Sequence, residues 1–182
     1  DRGWAHVEFG QGQSEVVFDN PLILVTDFKL SNVQGLLPML NAVVSDGRPL
    51  VVIAPDFEVP TIAMFIKNLQ VGQLKSVLVK APGFGARQQE TLEDIAVLVG
   101  AEFISRQKGM TFEGCFGAPD ADPMGVLGSA GRVKVTAKNT TILDGAGDEE
   151  VIDARIESIR RQVGSSGSEY DGDKLRERLG KL

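Results

Sequence analysis

Apolar residues fill most of residues 36–44, where Asn41 is the only polar side chain. Pro38 suits the first turn of a helix, because its missing N–H would have no intrahelical partner there, and Gly47 provides a C-terminal stop. A helical projection gives two apolar stripes: Leu36, Met39 and Val43, and Leu37, Leu40 and Val44. One stripe is enough to anchor a surface helix on a core. The second stripe therefore needs an explanation of its own.

A second helix of the same type is predicted at residues 61–69, after Pro60 and before Gly72. This helix is also apolar over more than half of its circumference. Two interpretations stay open at this point. Both helices could be buried on two sides, which is the commoner arrangement, or their surplus faces could lie side by side and form an exposed apolar groove.

The rest of the pattern alternates strands with helices. The continuous apolar run at residues 50–54 is typical of a strand buried on both faces of a parallel sheet. Further strands are predicted at 15–18, 22–25, 76–80 and 102–104, a hairpin at 132–136 and 140–143, and helices at 88–99, 148–163 and 173–179. This alternation predicts an α/β fold. Residues 109–131 are rich in Gly and are predicted to form a loop excursion that is mobile at least in part.

Composition narrows the function classes. The chain has 182 residues, of which 42% are hydrophobic and 24% charged, as expected for one domain of ordinary size. No apolar run approaches the roughly 20 residues of a membrane span. A formal net charge of -6 argues against a nucleic-acid partner. Cys115 and His6 are each the only residue of their type, which excludes an internal disulfide and a cysteine-based zinc site. Because the chain opens at Asp1 without a methionine, we expect a fragment of a longer protein.

Motifs for catalysis are weak. Gly83-Phe84-Gly85 lies between a predicted strand and a helix, but the third Gly of a dinucleotide-binding loop is replaced by Gln88, so a tight turn is the better interpretation. The acidic stretch 144–150 lacks the spacing of a calcium loop and suits a helix cap. Glu90 and Asp94 are interpreted as solvated carboxylates on a helix face. We therefore predict no catalytic residue, no metal site and no enzyme.

Several sequence blocks, taken together, resemble the group I (GroEL-type) chaperonins over essentially the whole chain. The resemblance is carried by Ser31-Asn32, Leu37-Pro38, residues 47–54, 79–85, 92–96 and 140–145, and by Arg155, Ile159-Arg160, Tyr170-Asp171 and residues 174–178. The most specific block is the Lys-Ala-Pro-Gly-Phe-Gly sequence at 80–85. Only the family's apical domain is represented.

The resemblance implies an apical domain over residues 1–182: a mixed sheet or β-sandwich core flanked by helices (the swivelling β/β/α type), with residues 148–182 leading towards an intermediate domain. In the family, two parallel apolar helices capture non-native polypeptides and receive the mobile loop of the ten-kilodalton co-chaperonin. By position, the site would comprise Trp4, Phe9, Leu37, Leu40, Val44, Ile62, Ile66, Lys67 and Asn68. The full-length protein would form a ring and bind ATP and Mg²⁺ in an equatorial domain absent from this chain, and no cofactor is expected here. Bacterial cytoplasm and the interior of mitochondria or plastids are both compatible compartments.

Four departures from the family pattern affect this assignment. Lys67 replaces an aliphatic residue and Glu8 an aromatic residue, so both bring charge to the expected binding surface. Pro60 replaces an acidic or polar residue at a helix start, and residues 109–131 are longer than the family's segment, which predicts a surface extension. Two other functions remain open: a nucleotide- or small-molecule-binding α/β enzyme that uses the turn at residues 83–87, and a degenerate chaperonin paralogue with one dedicated partner.

Overall fold

The computed structural model describes residues 5–6, 15–31 and 33–182, and it has a mixed α/β fold. The strands are β1 (Ala5–His6), β2 (Glu15–Asp19), β3 (Leu22–Val25), β4 (Leu50–Ala54), β5 (Ser76–Lys80), β6 (Gly128–Thr136) and β7 (Thr140–Gly145). The α-helices are α1 (Leu37–Asp46), α2 (Val59–Gln70), α3 (Gly85–Val99), α4 (Pro123–Val126), α5 (Glu149–Ser165) and α6 (Glu169–Lys181). A 3-10 turn (Gln34–Leu36) precedes α1, and a π-helical turn (Glu113–Gly117) precedes α4.

Three parallel strands form the centre of the sheet. β4 pairs with β3 on one side and with β5 on the other, Leu50 lying opposite Leu22 and Ser76. The strand order is β1-β5-β4-β3-β6-β2, with β1, β6 and β2 antiparallel to their neighbours and β7 paired with β6. The predicted strand–helix alternation and the hairpin, now β6–β7, are confirmed.

Side chains of the central strands alternate between two apolar layers, which explains why β4 reads as an uninterrupted apolar run. Leu50, Val52 and Ala54 point into the layer that also contains residues of α1 and α2. Val51 and Ile53 point into the opposite layer, which contains residues of α3. Because α1 and α2 each connect one parallel strand to the next on the same face, they run in the same direction.

Two sequence predictions in the second half of the chain are wrong. Residues 102–104 form no strand, only an isolated bridge between Ile104 and Thr26, beyond the part of β3 that pairs with β6. Residues 109–131 are not a peripheral loop. They contain the π-helical turn, α4 and the start of β6, and their buried apolar side chains join the layer under α1: Phe112, Phe116, Val126 and Leu127.

Asp94 is also not solvated, contrary to the sequence prediction. It lies on α3 and is only 6% exposed. Arg178 of α6 donates from Nε to one Asp94 carboxylate oxygen at 2.8 Å, and Arg155 of α5 donates to the other at 2.7 Å. Arg178 also donates to Glu90 at 2.8 Å. Ile159 is the only residue of α5 or α6 in the buried apolar core of the described residues, and Ile152, Ile156, Leu175 and Leu179 are half-buried. The buried ionic cluster acts together with these side chains in docking the last two helices on α3.

Arg178→Met is expected to lower the free energy of unfolding by about 3 kcal/mol, the low end for a broken buried ion pair, because Arg155 still neutralises Asp94. Urea unfolding followed by far-UV circular dichroism measures the change. Arg176→Met is the matched control: among the described residues, this exposed arginine of the same helix forms an ion pair with Asp173 alone, and its loss should cost less than about 1 kcal/mol. Equal effects of the two substitutions would contradict the assigned role of the cluster.

Candidate functional site: the exposed faces of α1 and α2

One stripe of α1 anchors the helix on the sheet, as the hydrophobic pattern predicts. Met39 and Val43 of α1, and Leu36 immediately before it, are fully buried. Gly47 ends the helix with a φ of 85°, a left-handed conformation that favours glycine. Burying each of these side chains contributes about 1.5–3 kcal/mol. This first stripe therefore anchors α1 on the sheet.

The second stripe of α1 is only partly open. Leu37 is 46% exposed and Val44 is 45% exposed. Leu40, assigned by the resemblance to the binding surface, is only 6% exposed and belongs to the core. This is a correction to the predicted site: in this conformation Leu40 lies beneath the surface and does not present its side chain to a partner.

The segment before β6 accounts for part of this burial. The π-helical turn and α4 both contact α1, and Phe116 is 3% exposed in the shared core. The approach is close, because a Cβ placed on Gly35 would lie 3.1 Å from the Cβ of Phe112 and 2.9 Å from a carboxylate oxygen of Glu113. β6, into which this segment leads, lies on the side of β3 away from β4, so we infer that the segment approaches α1 from the side away from α2. The open part of α1 is narrower than its sequence suggests.

Hydrogen bonds fix the start of α2 to the chain that leads into α1. Leu30 accepts at its carbonyl oxygen from the buried Thr61 hydroxyl at 2.8 Å and from the Glu58 backbone N–H at 2.9 Å. Phe65, one turn after Thr61, is 3% exposed and packs in the same layer as α1. The two helices are thus held to each other through a common core and a common backbone segment.

An ion cluster adds to this attachment at the carboxyl ends of the parallel strands. Lys80 donates to Asp56 at 3.1 Å, and this hydrogen bond lowers the pKa of the Asp56 carboxyl group. Lys29 lies 3.5 Å from Glu58. These residues were not identified from the sequence, because their partners are separated by more than twenty residues in every case and no short motif joins them.

The outer face of α2 carries a mixture of apolar and polar side chains. Ile62 and Ile66 are half-buried, whereas Lys67 is exposed. The amide of Asn68 donates to the carbonyl oxygen of Met64 at 2.9 Å, so the helix itself uses one of its donors. Val59, in the first turn, is 78% exposed. The structure therefore places Leu37, Val44, Ile62, Ile66, Lys67 and Asn68 on helices of one face of the sheet.

Two members of the predicted site, Trp4 and Phe9, lie outside the described residues, as does Glu8. Their expected place beside the two helices stays a prediction.

The other candidate motifs have local structural roles. Gly83 and Gly85 both have positive φ angles, and the Gln88 amide donates to the carbonyl oxygens of Ala81 and Gly83, as expected for a tight strand-to-helix turn. Asp148 caps α5 by accepting from the backbone N–H groups of Glu150 and Val151, as the acidic stretch predicted. Within the described residues no group of three or more potential ligands is placed to hold a metal ion, and no helix there is long and apolar enough to cross a membrane.

Comparison of the chain with models of known protein families gave no match.

Leu40→Ala and Leu37→Ala form a matched pair that tests the two environments on α1. We expect Leu40→Ala to lower the free energy of unfolding by about 2–4 kcal/mol, because it leaves a cavity in the core. Leu37→Ala should cost less than about 1 kcal/mol, since its side chain is 46% exposed. Urea unfolding of the two variants measures both values. If Leu37→Ala lowered the free energy of unfolding as much as Leu40→Ala, Leu37 would also be buried, which would contradict its assignment to the exposed surface.

Proposed function

We propose that the exposed faces of α1 and α2 form a capture surface for non-native polypeptides, and that the chain is the apical domain of a group I chaperonin. The observation that carries the proposal is the exposure of apolar side chains on both helices although each helix already has a buried anchoring face. These exposed apolar side chains include Leu37 and Val44 on α1, which are 46% and 45% exposed, and Val59 on α2, which is 78% exposed.

The chemistry of such a surface suits clients of many sequences. Burying apolar area yields about 25 cal/mol per Å² and requires no particular hydrogen-bond geometry. A client segment could lie between the helices as an amphipathic helix or as an extended strand. The open apolar area of one domain is small, so its affinity should be modest, and several copies in a ring would add avidity.

The remaining parts of the proposal come from the sequence resemblance. The same surface would receive the mobile loop of a ten-kilodalton co-chaperonin. ATP and Mg²⁺ would act in an equatorial domain outside this chain and would move the apical domain, and the whole protein would form a ring. In this proposal the chain itself is a binding module and carries no catalytic residue.

Leu37→Glu and Ile66→Glu are expected to weaken the binding of a permanently unfolded, reduced and alkylated polypeptide at least about tenfold, because each change places a charge in the apolar contact. Fluorescence anisotropy with a labelled polypeptide measures the affinity. Leu143→Glu is the matched control, since Leu143 is 50% exposed on β7, outside the proposed surface.

Urea unfolding of each variant separates loss of binding from loss of folding. Parent-like binding by folded Leu37→Glu and Ile66→Glu variants would overturn the surface assignment. Equal loss of affinity in the Leu143→Glu variant would also overturn it, because binding would then not depend on these two helices.

A further inference from the structure

Lys67 is an exposed charge on α2 with no ion-pair partner among the described residues. Its side chain is exposed on α2, directly after the half-buried Ile66. No carboxylate among the described residues pairs with its ammonium group, although ion pairs are formed by many other lysines of the chain, including Lys29 and Lys80. The ammonium group of Lys67 is therefore available to pair with an acidic group of a bound polypeptide.

Carboxylates on the two helices and at their ends are already neutralised. Asp46, at the end of α1, is 2.7 Å from Nε of Arg48, and Glu58, just before α2, pairs with Lys29. Glu113 has no ion-pair partner among the described residues, but it contacts Gly35 ahead of α1, on the segment that approaches α1 from the side away from α2. Among the described residues, Lys67 is therefore the one charged side chain of α1 and α2 without an ion-pair partner, in a chain whose formal net charge is -6.

The direction of the two helices places Lys67 at one end of the proposed surface. α1 and α2 run in the same direction, so their C-terminal halves lie towards the same end of the surface. Lys67 is in the C-terminal half of α2, and the exposed Val44 is in the C-terminal half of α1. A bound segment would meet its apolar contacts along the length of the helices and the unpaired ammonium group of Lys67 towards this end.

We propose that the preferred occupant is an apolar polypeptide segment that carries an Asp or Glu, whose carboxylate pairs with Lys67. This inference rests on the proposed capture function and specifies which segments the surface selects. The apolar contacts supply most of the affinity, and Lys67 discriminates among segments by charge complementarity. Segments with a Lys or Arg in the same place are disfavoured by like-charge repulsion.

The test uses three labelled peptides with the same alternating apolar framework and with Asp, Ser or Lys at two central polar positions. The parent chain should bind the Asp peptide about two- to fivefold more tightly than the Ser peptide, the range of an exposed ion pair. The preference should shrink at high salt. Lys67→Met should remove the preference without weakening the Ser peptide, and Lys67→Glu should favour the Lys peptide.

Lys138→Met is the control, because it removes the same charge from the exposed β6–β7 turn. It should keep the preference for the Asp peptide. Equal binding of the Asp and Ser peptides by the parent, or a preference that survives Lys67→Met, would overturn the inference while leaving the capture function intact. Failure of all three peptides to bind would overturn the capture function, and the inference with it.

Discussion

Burial of an apolar stripe of α1 and of α2 against the same face of the sheet is the constraint on which the rest of the structure depends. The buried stripe of α1 and the buried Thr61 and Phe65 of α2 pack on the same face of the parallel strands. That contact fixes the helices firmly enough to leave Leu37 and Val44 exposed to water. Exposed apolar side chains contribute little to the stability of the isolated chain, and their presence on both helices is the observation on which the proposed capture function rests.

The opposite face of the sheet is stabilised differently. α3 packs on the sheet through an apolar stripe, and arginines help to attach α5 and α6 to α3. Asp94 accepts from Arg155 and Arg178 in a nearly buried site, while Arg87 of α3 donates to Tyr170 and Asp171 at the start of α6. A carboxylate that leaves water must be paired, so the nearly buried Asp94 helps to fix α5 and α6 through Arg155 and Arg178. The Arg87 contacts are about half exposed and contribute less. One face of the sheet thus carries α1 and α2 with the proposed surface, and the opposite face positions the C-terminal helices.

Local signals in the sequence were sufficient for most of the fold. Pro38 and Gly47 delimited α1, and the uninterrupted apolar run of β4 correctly indicated burial on both faces of a parallel strand. Such local signals do not identify contacts between residues that are far apart in the sequence. The helical period places Leu40 beside Leu37, yet the turn at Glu113–Gly117 and α4, some seventy residues later, pack against this helix. The carboxylate of Asp94 likewise looked solvated because its arginine partners follow 61 and 84 residues later. The sequence predicted both helices, whereas the exposed extent of α1 depends on these distant contacts.

Hydrogen–deuterium exchange measured by mass spectrometry, with and without an excess of a permanently unfolded polypeptide, tests the central claim most directly. Binding between the two helices should slow exchange in α1 and α2 and leave α3, α5 and α6 unchanged. The same result is expected in the presence of high salt, because apolar burial provides most of the affinity. Protection confined to other elements, or no change in either helix at saturating polypeptide, would contradict the account.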